Sequence, residues 1–331
     1  MGNGSYPDSF HRPILTDWPP LAASAGLYAP KARGWRGWLT SLPFHLLLFV
    51  LTILTTLLVG AHISLNYAHR LPAFDWEVSS AFFSTLLRHP LLLERGVPFS
   101  LTLLGILLAH ELGHYFTCRH YGIRASYPYF IPAPTLIGTL GAFIRIKSPI
   151  VTRRALFDVG ISGPLVGFIF AIPALAVAIA YSRASVPLSP PDSITLGNPL
   201  VVILLTKLLR PGINPTGISL SPIGCAAWVG LFATALNLLP AGQLDGGHIL
   251  YAVLGDKHRT VSRGLFLALV PMGVFCWAGW MVWAAILLLI GLRHPVVTAP
   301  SEPLDKGRRL LALVALLIFV LTFVPTPFSV H

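Results

Sequence analysis

Residues 109–114 read Ala-His-Glu-Leu-Gly-His, an H-E-x-x-H pattern. On a helix, side chains four apart share a face, with Cβ atoms about 5–6 Å apart. His110 and His114 can therefore point ring nitrogens at one ion. Zinc accepts nitrogen at about 2.0–2.1 Å and prefers four ligands, so two histidines fill half its shell. Glu111, beside them, is placed to take a proton from a zinc-bound water. The pattern arises by chance in many soluble helices, but here it lies inside an apolar run covering residues 97–118. An ionisable group at mid-bilayer costs about 2.5–3.5 kcal/mol even on lenient insertion scales. Three titratable groups in one turn need compensation, and a metal provides it.

A catalytic zinc needs three protein ligands and one open position. The chain has 12 Asp and Glu residues, and Asp245 stands out among them, within N-L-L-P-A-G-Q-L-D-G-G-H at 237–248. Pro240, Gly242, Gly246 and Gly247 let a helix break there and let the backbone approach another group closely. Asp158, just after Arg153 and Arg154, suits a helix N-terminus better than a metal. His248 suits a capping or supporting role better than ligation. Asn237 is an amide within an apolar run. It fits a hydrogen bond between helices and equally a hold on a substrate carbonyl or a developing oxyanion. Gly160, Gly163 and Gly167 form a small-residue face of the kind that packs helices closely.

The elements that must carry these residues follow from composition. Of 331 residues, 54% are hydrophobic and 11% charged, against about 25% charged in soluble domains. The expected fold is an all-α polytopic membrane protein, its core built against lipid and other helices. A span needs about 20 apolar residues. Residues 44–65, 97–119, 159–182, 221–240 and 310–324 qualify, the last being short. The run 264–292, interrupted by Pro271 and Gly279, is read as two short helices, the first starting near Thr260. That gives about seven transmembrane helices. The net charge of +11 gathers in connections between apolar runs, which excludes nucleic acid as a partner and points to the positive-inside rule. Seven spans put the basic tail, the 119–154 connection, the bases near Lys257 and those from Arg293 to Arg309 on one side. The N-terminus is then inside and the C-terminus outside. Residues 1–41 read as an irregular basic tail, and 42–331 as one membrane-embedded domain with a catalytic core at about 97–254. Cys118, Cys225 and Cys276 show no metal or disulfide spacing.

Residues 127–147 have too many prolines and glycines for a long helix and are too apolar for a solvated loop. They read as a re-entrant, β-like segment near the zinc site, permitted only where protein or a wet cavity covers its backbone. Residues 142–147 alternate like a strand, with Ile144 and Ile146 on one face and Phe143, Arg145 and Lys147 on the other. Residues 198–209 read as a short interfacial helix. Because the second and fourth spans both run inward, His110 and Asp245 can meet near the inner face.

The motifs H-E-L-G-H and N-L-L-P-A-G-Q-L-D-G-G-H together resemble the site-2 protease family of intramembrane zinc metalloproteases. P-Y-F-I-P-A-P, G-T-L-G-A-F-I-R-I-K-S-P and R-R-A-L-F-D-V-G-I-S-G-P resemble its EGY-type branch. The resemblance covers about residues 101–254. It implies one zinc ion per chain on His110, His114 and Asp245, Glu111 as catalytic base, and Asn237 positioning substrate. The expected substrates are single-span membrane proteins cut within the bilayer, and Phe143, Ile144, Arg145 and Ile146 are expected to bind them as an edge strand. No PDZ or nucleotide-binding module is expected. The tail lacks an obvious transit peptide, so the expected location is a bacterial inner membrane, with the site towards the cytoplasm. Two other classes fit the sequence less well. A zinc/iron permease carries similar boxes, but in the opposite order. A proteolytically inactive homologue would lack a catalytic residue type, and none is missing.

Overall fold

A computed structural model describes residues 39–74, 80–184, 194–291 and 303–330. The tail expected over 1–41 thus lies outside the described residues except at its end, as does Arg293. The described chain is mainly helical. Its long helices are α1 (Leu42–Ala68), then after a short helix α2 (Ser80–Arg88) the helix α3 (Val97–His120), and then α4 (Arg153–Ala180). α1, α4 and the stretch Pro90–His120 are long and apolar enough to cross a membrane. Shorter helices follow: α5 (Leu200–Leu209), α6 (Pro222–Asn237), α7 (Asp245–Leu254), α8 (His258–Phe275), α9 (Gly279–Ile290) and α10 (Lys306–Thr322). The 264–292 run does break into two helices, at Cys276–Ala278. The amphipathic α2 has no counterpart among the expected elements, because nine residues are too few to stand out as a span.

α3, α4 and α6 pack against one another, with α7 against α4. Local chemistry fixes their starts. Thr152 caps α4 by accepting from the Ala155 N–H, and Ser221 caps α6 by accepting from the Gly224 N–H, with Pro222 at the first helical position. Such caps satisfy N–H groups that have no partner within the helix. Pro164 and Pro173 lie inside α4, as membrane helices tolerate. One core joins α3, α4 and α6 through Phe99, Leu103, Leu175 and Trp228. The Trp228 indole N–H reaches the Gly197 carbonyl at 2.8 Å.

Between α3 and α4 lies a hairpin, β1 (Tyr129–Pro132) against β2 (Thr139–Phe143), antiparallel, with Tyr129 opposite Phe143. The strand expected at 142–147 therefore begins earlier and ends earlier. Its regular pairing stops at Tyr129 and Phe143, next to Pro128. Beyond that point Ser126 Oγ accepts the Arg145 N–H at 2.8 Å, and only an isolated bridge, Ala125 to Ile146, continues the ladder. The alternation itself is as expected, with Phe143, Arg145 and Lys147 exposed and Ile144 and Ile146 partly buried. Gly138 ends the turn with φ of +78°, and Gly141, within β2 where the register shifts opposite Phe130 to Pro132, has φ of +101°, values that glycine adopts without strain. The hairpin runs along α1. Tyr129 meets the His45 ring, Phe130 meets Phe49, and Thr55 Oγ1 donates to the Gly138 carbonyl at 2.6 Å.

Candidate metal centre

His110 and His114 lie buried one turn apart on α3, facing α4 and the start of α7. Their Nε2 atoms are 3.2 Å apart. Asp245, the first residue of α7, brings Oδ2 to 3.3 Å from His110 Nε2 and 3.2 Å from His114 Nε2. Tetrahedral bonds of about 2.0–2.1 Å place donor atoms roughly 3.3–3.4 Å apart. The three donors thus form a triangle of the size zinc requires, with imidazole nitrogen and carboxylate oxygen atoms of the kinds it takes. They are the one such cluster among the described residues.

Glycines make this convergence possible. A Cβ on Gly163 would lie 2.1 Å from His114 Nε2, and one on Gly167 would lie 3.1 Å from His110 Nδ1. A Cβ on Gly113 would lie 2.6 Å from the Ser162 carbonyl. α4 therefore presses bare backbone onto both imidazoles. After Asn237 the chain turns back through Gly242 at φ +55°. Cβ atoms on Gly246 and Gly247 would lie 2.1 Å from the Leu238 carbonyl and 2.5 Å from the Gly242 carbonyl. Only a chain this bare can fold the 238–244 loop onto the first turn of α7 and bring Asp245 into reach.

His114 Nδ1 lies 2.7 Å from the Val159 carbonyl. Donation from Nδ1 selects the tautomer that leaves Nε2 as a lone-pair donor, the usual support for a metal-binding histidine. Asn237 Nδ2 lies 3.2 Å from His110 Nε2. The buried Glu111 carboxylate accepts a hydrogen bond from the Ile144 N–H. Beside these groups is a cavity of about 120 Å³ lined by His110, Glu111, Ala142, Thr234, Asn237 and Trp283, among others.

The residues singled out from sequence fall into two groups. His110, Glu111, His114, Asn237 and Asp245 come together. Of the four strand residues, Ile144 joins the site through its backbone, and its side chain packs with Ile146 against Cys118, Ile123 and Val159. Phe143 and Arg145 are exposed. The cavity wall on this side is instead Leu140, Gly141 and Ala142. His248 packs near Gly160 and is not in the donor triangle. Asp158 takes a two-pronged ion pair from Arg308 and a short hydrogen bond from the Tyr121 hydroxyl. Burial first, and then the neighbouring Asp158, raise the Tyr121 phenol above its ordinary value, which keeps it a donor. Trp283 of α9 was missed, because within an apolar run its indole carries no signal separating a cavity wall from a lipid contact. The Val159 carbonyl was missed because a backbone group has no signature in sequence.

A buried donor triad of two histidines and one aspartate, with a carboxylate beside it and apolar helices around it, is the donor set of a metal site. The family model for Peptidase family M50 matches residues 98–277, and the chain belongs to that family, the site-2 proteases. It is 31% identical over 296 residues to "Probable zinc metalloprotease EGY1, chloroplastic" of Arabidopsis thaliana, covering 85% of this chain and 52% of that protein. It is 30% identical over 271 residues to "Probable zinc metalloprotease EGY2, chloroplastic" of the same plant, covering 80% of this chain and 47% of that protein. The chain thus spans about half the length of these relatives. Both are named chloroplastic, so they lend no support to the expected bacterial inner membrane.

Proposed function

We propose that this chain is an intramembrane zinc metalloprotease that hydrolyses peptide bonds in the spans of single-span membrane proteins. The observation that carries the proposal is the donor triangle with 3.2–3.3 Å edges, one of whose residues, His110, lines a cavity together with Glu111. His110, His114 and Asp245 would hold one zinc ion. Bound there, zinc supplies an activated water near neutral pH and a Lewis acid for a carbonyl. Glu111 takes the proton from the attacking water and returns it to the leaving amine. The Ile144 N–H orients that carboxylate. The Asn237 amide, on the same cavity wall, offers a hydrogen bond to the substrate carbonyl.

The proposed topology has about seven membrane helices, with the hairpin entering from the side on which α3 ends and α4 begins. Two features support it. The hairpin lies alongside α1 from His45 to Thr55, and Thr55 is close to the middle of that helix. The basic connections then share one face with the zinc site. A substrate helix hides its carbonyls in i→i−4 bonds and must be extended before attack, which leaves costly unpaired groups in lipid. Strand addition pairs them. Arg145 and Lys147 turn their N–H groups towards the 124–126 segment, so alternation turns Ala142 and Ile144 to the opposite edge, beside the cavity. An extended substrate laid there would pass Glu111. To test the activity, purified chain in detergent is given a single-span substrate. Cleavage should stop on chelation and return with added zinc. Cleavage indifferent to chelation would remove the proposal.

A further inference from the structure

The clamp on Asp158 reaches the metal centre. Asp158 immediately precedes Val159, whose carbonyl fixes His114 at 2.7 Å. One turn further along α4, Gly163 packs on the same imidazole. The opening turns of α4 therefore set where His114 points. Thr152 caps those turns, but they begin with Arg153 and Arg154 and carry no acid in the first turn, although a helix N-terminus favours negative charge.

Arg308, in the first turn of α10, supplies an outside hold. Its Nε donates to Asp158 Oδ1 at 2.9 Å and its Nη2 to Asp158 Oδ2 at 2.5 Å. Nη2 also reaches the Tyr121 hydroxyl at 3.2 Å, at the end of α3. This is the planar fork-to-carboxylate geometry that lysine cannot reproduce. Asp305 presets the guanidinium, pairing with Nη1 while its Oδ1 accepts the Arg308 backbone N–H at 2.9 Å. One side chain thus ties together the end of α3, the start of α4 and the start of α10. Arg308 also lies beyond residue 277, where the family match ends.

We infer that Arg308 is a positioning residue for the metal centre, holding the His114 ring through Asp158 and the first turns of α4. The inference rests on the zinc reading above. The test measures zinc affinity by chelator competition, and the visible absorption of the cobalt-loaded protein, on the full chain in detergent. Arg308→Gln should weaken zinc about tenfold, the low end for groups that support ligands from outside, and should shift the cobalt bands. Arg308→Lys should recover only part of this. Asp158→Asn should match Arg308→Gln, and the double variant should be no worse than either. If Arg308→Gln does not fold, Tyr121→Phe and Asp158→Asn are read by the same two signals. Folded variants with unchanged zinc affinity and unchanged cobalt bands would overturn the inference, leaving Arg308 as a tether for α10. Failure of the unaltered chain to take up zinc or cobalt would instead overturn the zinc reading itself, and the inference with it.

Discussion

Gly163→Ala tests the contact on which the site's geometry depends most. The new Cβ would stand 2.1 Å from His114 Nε2, 2.5 Å from Cε1 and 2.6 Å from Cδ2. Ordinary contact between such atoms is about 3.5–4.0 Å, so something must move by more than an ångström. It cannot be the new methyl, which sits on rigid helical backbone. Either the imidazole swings away or α4 lifts off α3. Metal sites hold ligand distances within about ±0.2 Å, so either movement takes His114 out of coordination. Loss of an outer supporting group costs about 10–100-fold in metal affinity, and loss of a ligand should exceed that range. Overpacking should add about 1–3 kcal/mol of destabilisation. Gly167→Ala is the built-in control. Its Cβ would lie 3.1 Å from His110 Nδ1 and 3.3 Å from His110 Cβ, which a shift of a few tenths of an ångström relieves, so its loss should stay within about tenfold. The assay is zinc competition against a fluorescent chelator, with thermal unfolding in detergent recorded beside it. Native zinc affinity in a folded Gly163→Ala protein would refute the close packing of α4 on His114.

Two further predictions follow from the hairpin and the charge pattern. Ala142→Pro removes an edge donor without touching the Ile144–Glu111 bond, so it should slow cleavage of a helical substrate more than of a short unfolded peptide, at normal zinc content. Ile144→Pro should slow both, because it also removes the donor to Glu111, and equal effects of the two variants on both substrates would sink the strand-addition idea. Cysteines placed at the exposed Lys147 and Thr260 should react with impermeant reagent from one side of a vesicle, and a cysteine at Gly212 from the other; labelling of all three from one side would refute the proposed topology.

The chemistry was legible in the sequence because it was written in side chains. His110, Glu111, His114 and Asp245 are rare polar residues against an apolar background, and the cost of burying them marks them out. The Gly160, Gly163 and Gly167 series was legible as a packing face, but not as the surface on which the two histidines rest. Depth along a helix can be read from spacing, while the identity of the group across the interface cannot. Asp158 was read as marking a helix N-terminus, but α4 starts five residues earlier, at Arg153, and the partner of Asp158 stayed hidden because Arg308 stands 150 positions away among bases already explained by sidedness. The hairpin's place was clear from its prolines and glycines. Its register was not, because Ser126 replaces a backbone acceptor with its hydroxyl and the ladder shifts register within β2.

The most direct test of the central claim counts zinc and turnover together in two single-atom-scale variants. Glu111→Gln removes a base and spares the donor triangle, so it should keep about one zinc per chain and lose cleavage. Asp245→Asn exchanges an anionic donor for a neutral amide, so it should lose both. Metal analysis of the purified proteins, alongside cleavage of one single-span substrate, gives the answer. Zinc lost from Glu111→Gln but retained by Asp245→Asn would contradict the account.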